Sequence, residues 1–256
     1  MTRLFTEHRI SPGTKTYEFS GEDAKYLSDI LRMKTGEELT LCDQARNDWL
    51  CRISSLTKER VCVDIIESNE NHAEPPYEAV LYQAFIKGEK MEFVIQKAVE
   101  LGVSRIVPVA CTRSVVHVDA KDARRKIERW QKISLEAARQ SGRGMIPPIC
   151  MPLTFSDAIK ESTASSDLVF LPWESEKNAS LSDLFAMQNE AFSCEKHQNK
   201  PRISFFIGPE GGFDPVEISQ AENARIPTVT LGPRILRTET AGLAVLSMMI
   251  YRLELN

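Results

Sequence analysis

From residue 78 onward the chain alternates short apolar runs with segments of helical periodicity, and few folds accept that alternation. "EAVLYQAFI" (78–86) reads as a buried strand. "EKMEFVIQKAVELG" (89–102) spaces Met91, Val94, Ile95, Ala98 and Val99 along one helix face, with Gly102 as its stop. "SRIVPVA", "DLVFLP", "RISFFI" and "TVTL" follow as strands, with helical patterns between them. Strand and helix in turn imply an α/β fold, a parallel sheet with helices on both faces. Such sheets bind their ligands at the carboxyl ends of strands.

The first part of the chain reads differently. Alternating runs at 38–43, 48–56 and 59–66, parted by polar turns, predict a small β-barrel or sandwich. An amphipathic helix is predicted over 21–36, with Tyr26, Leu27, Ile30 and Leu31 on one face and Gly36 at its end. The polar stretch 67–76 reads as a linker closed by Pro75-Pro76. At 256 residues the chain is long enough to fold without staples. Its six cysteines form no CxxC pair and its four histidines show no metal-ligand spacing, which points to a reduced, cytoplasmic, metal-free protein. The longest apolar run, 241–251, falls well short of the ~20 residues of a membrane span, so no membrane partner is expected.

Two glycine turns stand where strands end. In "FFIGPEGGF" (205–213) an apolar run enters Gly208-Pro209-Glu210-Gly211-Gly212, and Asp214, Pro215 and Glu217 then spell a capping box for the next helix. In "LGPRILRTETAG" (231–242) Gly232-Pro233 turns the chain, Arg234 and Arg237 follow, and Thr238 is placed to cap a helix. That helix is apolar around its whole circumference, so either the domain core or a second subunit covers it. Neither turn is GxGxxG or GxxxxGK[ST], so dinucleotide and P-loop readings lack their phosphate cradles.

The net charge of −4 is unevenly spread. Segment 121–143 carries Lys121, Arg124, Arg125, Lys126, Arg129, Lys132, Arg139 and Arg143 against Asp122, Glu128 and Glu136. Ala123, Ile127, Trp130, Ile133 and Ala137 fall on the opposite face. The basic face is either simply solvated or a stripe for phosphates.

Taken in order, the motifs resemble the bacterial 16S rRNA (uracil-N3)-methyltransferase family, RsmE, of the SPOUT superfamily. The matching residues are "RLF" near the start, "LSDILRMKTGEEL" (27–39), "QKAVELGV" (96–103), "TRSVV" (112–116), "EAARQSGR" (136–143), "FIGPEGGF" (206–213) and "LGPRILRTETA" (231–241). The last two are the most specific, because each follows a strand and they recur as a pair. The resemblance implies an N-terminal PUA-like β-barrel that binds RNA, residues 1–72, and a SPOUT methyltransferase domain, residues 73–256, whose parallel sheet carries a deep trefoil knot. It further implies S-adenosyl-L-methionine as cofactor, 16S rRNA of the small ribosomal subunit as substrate, and a homodimer through the C-terminal helix.

Carried over by motif, the cofactor pocket comprises Leu171, Pro172, Gly208, Glu210, Gly211, Leu231, Gly232, Ile235, Leu236 and Thr240. Arg237 is the catalytic candidate that stabilises the uracil oxygens, and Glu210 is the base or an orienting acceptor. Arg113, Arg124, Arg125, Arg129, Arg139 and Arg143 are the candidates for holding RNA. Tyr26 stands where the family often has a histidine, and the polar stretch 188–201 is an insert. A SPOUT enzyme acting on another nucleotide, an inactive ribosome-assembly factor and an oxidoreductase are the competing classes.

Overall fold

The computed structural model of the chain describes residues 2–114, 120–187 and 200–255. The end of "TRSVV", most of the 188–201 insert and the side chain of Lys121 lie outside the described residues. The chain divides into two compact units, Met1–Glu74 with Ala138–Ile146, and Pro75–Ala137 with Pro147–Asn256.

The first unit holds a five-stranded sheet in the order β1-β3-β4-β5-β2. Its strands are β1 (Thr2–Phe5), β2 (Thr16–Ser20), β3 (Glu38–Cys42), β4 (Asn47–Leu56) and β5 (Arg60–Glu70). Alternate residues of these strands, among them Leu39, Leu41, Cys51, Ile53, Val61 and Val63, bury with Leu4, Phe19 and Leu27 in one core. Two expectations change here. Strand β5 runs to Glu70, into the stretch read as linker, because ladder hydrogen bonds to β4 from Asn47 onward need no apolar side chains.

The helix expected over 21–36 is short: α1 (Gly21–Lys25) passes into one π-helical turn, Tyr26–Ile30. Leu31 N–H reaches back to Tyr26 O, and Arg32 then adopts φ 53°, which ends the helix. The wider turn breaks the 3.6-residue face, leaving Leu27 buried and Ile30 69% exposed.

Segment Ala138–Ile146 is tied into this unit by buried polar groups. The Arg143 guanidinium donates to both oxygens of Glu74, at 3.1 and 2.7 Å, and the two side chains are only 3% and 6% exposed. Asn71 Nδ2 donates to Gly142 O and to Asp48, which Arg3 holds by two bonds. Residues that look remote in sequence therefore share one network.

The second unit is a six-stranded sheet, β11-β9-β10-β6-β7-β8, parallel at every pairing. The strands are β6 (Glu78–Ala84), β7 (Arg105–Ala110), β8 (Leu153–Thr154), β9 (Leu168–Pro172), β10 (Arg202–Ile207) and β11 (Thr228–Val229). The helices are α2 (Glu89–Glu100), α3 (Ala120–Gln140), α4 (Phe155–Ser165), α5 (Leu181–Met187), α6 (Pro215–Asn223) and α7 (Thr238–Leu253).

Strands β6 and β10 are buried almost without a break, as a sheet covered on both faces requires. On one face Val80, Tyr82 and Phe206 pack with Phe155 of α4 and Ile218 of α6. On the other, α7 comes so close that a Cβ on Gly242 would stand 3.4 Å from Ile207 and 3.7 Å from Leu81. Helix α7 buries Gly242, Val245, Leu246 and Met249 but leaves Met248 and Tyr251 exposed. The core thus covers part of its apolar circumference and not the rest. No helix among the described residues is long and apolar enough to cross a membrane.

Candidate active site

Strands β11, β9 and β10 lie side by side and parallel, so Val229, Pro172 and Ile207 bring three carboxyl ends to one edge. Two of them continue into the turns singled out in the sequence, "LGPRILR" and "GPEGGF", and the third into "WE". The first of the two glycine turns is closely packed. Thr238 Oγ1 donates to Gly208 O at 2.6 Å, and a Cβ on Gly208 would stand 3.1 Å from the Phe213 ring. A Cβ on Gly211 would stand 3.3 Å from Arg113 Cβ. At Gly212 φ is +69°, which favours glycine; a Cβ there would come within 2.6 Å of Glu174 Oε1, the end of an exposed side chain that can move aside. The capping box forms as spelled: Asp214 accepts from Val216 N–H and Glu217 accepts from Asp214 N–H, with Pro215 as the first helical residue.

The second turn is open. Gly232 has φ +112°, and no heavy atom of the described residues lies within 4 Å of where its Cβ would be. Ile235, three residues on, is a large apolar side chain that is 84% exposed. Arg234 and Arg237 are exposed, Leu231 and Leu236 are half-buried, and Leu171 is fully buried at the neighbouring strand end. Thr240 is exposed, one turn into α7. One sequence expectation is corrected here: Arg237, with φ −66° and ψ 153°, is the N-cap of α7, and Thr238 is its first helical residue. The Thr238 hydroxyl is taken by Gly208 O and by the buried Gln83, whose Nε2 donates to it at 3.1 Å.

Charge gathers between the two turns. Glu210 Oε1 accepts from Lys87 N–H at 3.4 Å and lies 3.9 Å from Lys90 Nζ, which is 3.3 Å from Glu239 Oε1. Burial alone would raise the Glu239 carboxyl, but its own backbone N–H, Lys90 and Arg237 together hold it below the usual glutamate range. Lys90 thus links the turn that bears Glu210 to the helix start that bears Arg237.

The six arginines proposed for RNA separate into three groups. Arg113 is part-exposed and packs on the first glycine turn, donating to Gly211 O and facing Asp214 at 3.4 Å. Arg124 and Arg125 are exposed on α3, and Arg129 pairs with Glu92 at 2.7 Å while staying 68% exposed. Arg139 lies over the Tyr26 ring and 3.7 Å from Asp23, and Arg143 is buried on Glu74. The geometry gives those last two internal partners and leaves the α3 stripe facing solvent.

Against known proteins, the profile of an RNA methyltransferase domain matches residues 73–250, and that of an RNA methyltransferase PUA domain matches 19–66. Ribosomal RNA small subunit methyltransferase E of Bacillus subtilis is 33% identical over 94% of this chain and 91% of its own length. The chain belongs to the ribosomal RNA small subunit methyltransferase E family. Among solved structures, a member of this family from Neisseria gonorrhoeae bound to S-adenosyl methionine aligns with TM-score 0.83 and 31% identity, over 98% of this chain and 97% of that one. A methyltransferase from Legionella pneumophila, in complex with the same cofactor, matches equally well by all four measures.

Family motifs pointed to the turns but not to what holds them. Lys90, Gln83 and Glu174 sit outside the motifs shared with the family and reach the site through tertiary packing. Glu217 was legible as a helix cap, whereas its bond to Thr112 N–H at 2.8 Å was not.

Proposed function

We propose that the protein transfers a methyl group from S-adenosyl-L-methionine to N3 of a specific uridine in 16S rRNA of the small ribosomal subunit. The observation that carries this reading is the open second turn beside the packed first one. Gly232 leaves space that a side chain would fill, and Ile235 offers an exposed apolar surface. An open glycine, an exposed apolar side chain and nearby charges of both signs suit a nucleoside with a zwitterionic amino-acid arm better than a phosphate cradle. Leu171, Pro172, Gly208, Glu210, Gly211, Leu231, Gly232, Ile235, Leu236 and Thr240 hold the cofactor.

When bound, the cofactor supplies an electrophilic methyl group on a sulfonium. The protein's own residues then manage the acceptor. Uridine N3 is protonated at neutral pH, so negative charge develops on the uracil oxygens as the proton leaves. Arg237 is exposed at the mouth of α7, where its guanidinium and the helix N-terminus both favour that charge. Glu210 receives the N3 proton or orients the ring, with Lys90 3.9 Å from its carboxylate. General-base help is worth roughly 10²–10⁴ in rate. Holding the reactants in place is worth about 7–11 kcal/mol, so positioning dominates.

Residues 1–72 form the RNA-binding PUA-like barrel and residues 73–256 the SPOUT domain, whose C-terminus threads a trefoil knot. The exposed stripe of Arg124, Arg125 and Arg129 steers RNA. The exposed Met248 of α7, on a helix apolar around its circumference, supports a homodimer through that helix. The setting is cytoplasmic.

The test is methyl transfer into unmethylated small subunits, with the product mapped by reverse-transcription stops, since N3 methylation blocks Watson–Crick pairing. Label at N3 of one uridine is expected. Label on a different base, or none with cofactor and particles both present, would overturn the assignment.

A further inference from the structure

Glu217 is 4% exposed, yet both of its carboxylate oxygens are used, and they serve different segments. Oε2 accepts from Asp214 N–H at 2.8 Å, which any capping box would provide. Oε1 accepts from Thr112 N–H at 2.8 Å, in the turn that follows β7. The Cys111 thiol lies against the same carboxylate; burial first, and then that negative charge and hydrogen bond, push it up. One buried acid therefore binds residues 111–112 to the end of the glycine turn. Between these anchors stands Arg113, whose Cβ would lie 3.3 Å from a Cβ on Gly211, whose Nη1 donates to Gly211 O and whose Nε faces Asp214 at 3.4 Å. Its side chain is nonetheless 44% exposed.

We propose that Glu217 is a positioning residue for methyl transfer: by clamping residues 111–112 to the glycine turn, it fixes the exposed Arg113 guanidinium beside the cofactor pocket, where it holds the RNA. This rests on Arg113 being an RNA contact. A cap alone needs only the bond to Asp214, and a surface arginine alone needs no buried acid beneath its loop. A carboxylate shared by both turns makes the RNA-side and cofactor-side segments one rigid piece, with no loop entropy left to lose when RNA binds.

The experiment is a double-mutant cycle of Glu217→Gln and Arg113→Ala, reading KM for small subunits, kcat and cofactor Kd, with folding checked by thermal melting. Glutamine keeps the shape but replaces one acceptor by a donor that faces an N–H. Each single variant is expected to raise KM for the particles about tenfold, by the loss of one charge-assisted contact or of its aim. Cofactor Kd should change much less. In the double variant KM should be no higher than in Arg113→Ala alone, because Glu217 acts through that side chain. If the two effects multiply, or if Glu217→Gln lowers only the melting temperature, the proposal falls and the reading of Arg113 stands. An unchanged KM in Arg113→Ala removes Arg113 as an RNA contact, and the proposal with it. Should Glu217→Gln not fold, Glu217→Asp enters the same cycle, keeping the charge and withdrawing it by one methylene.

Discussion

The two glycine turns look alike in sequence and differ in what surrounds them. Both follow a parallel strand, both contain Gly-Pro, and both lead into a helix. Turn 208–213 is filled by its own protein: each of its three glycines has a neighbour where a Cβ would go, namely Phe213, Arg113 and Glu174. Turn 231–237 is empty around Gly232 and exposes Ile235 and Arg237. Glycine thus serves two purposes at strand ends two strand spacings, about 10 Å, apart. In the first turn it permits close packing and fixes a shape; in the second it permits a backbone conformation that leaves room for something else. In the proposed assignment the packed turn is the frame, and the open one receives the cofactor and the acceptor.

Perturbing each turn in its own way tests that division. The largest effect belongs to the open side: Arg237→Ala should lower kcat about 10²–10³-fold, the usual cost of one donor to a developing oxyanion. Its melting temperature should stay within a degree or two, since the side chain is exposed. In the packed turn, Gly212→Val forces a β-branched residue into φ +69° against Glu174. Denaturant titration should show a loss of about 1–3 kcal/mol, and cofactor affinity should fall alongside it.

Gly232→Ala is the converse. Its φ of +112° is unfavourable for any L-residue, but the space is open and the loop is at the surface. Calorimetry should find a roughly tenfold weaker cofactor Kd, for about 1.4 kcal/mol, with little change in global stability. If Gly232→Ala melts as early as Gly212→Val, the contrast between frame and opening is lost. The smallest effect lies away from both turns. Arg124→Gln with Arg125→Gln should reduce the slope of log affinity for RNA against log salt by about 1.5, leaving cofactor binding unchanged. An unaltered slope would return that helix face to plain solvation.

Local chemistry explains what could be read in advance. The capping box of α6 is spelled by three residues within four positions, and the helix obeys it. The alternation from residue 78 needs only periodicity, and the parallel sheet follows. Errors arise where long-range packing overrides the local signal. The 21–36 pattern is amphipathic at 3.6 residues per turn, yet one π-turn shifts Ile30 to solvent. Polar β5 residues up to Glu70 pair because β4 offers a ladder beside them. Thr238 matches an N-cap by type, but Gly208 O and Gln83 compete for its hydroxyl.

The same reason separates the arginines. Nothing near Arg143 in sequence announces Glu74, sixty-nine positions away, and a buried pair of this kind is costly to break from one side. Arg124 and Arg125 carry the same type of side chain on a helix face that stays open. Charge type is visible in a sequence; the partner that neutralises it is not.

The central claim is that the open turn receives S-adenosyl-L-methionine. It is tested most directly by calorimetric titration of the purified chain with that cofactor, with NAD as the control. Saturable binding of S-adenosyl-L-methionine alone is the predicted result. No heat of binding, with the chain alone and with small subunits added, or equal binding of NAD, would contradict it.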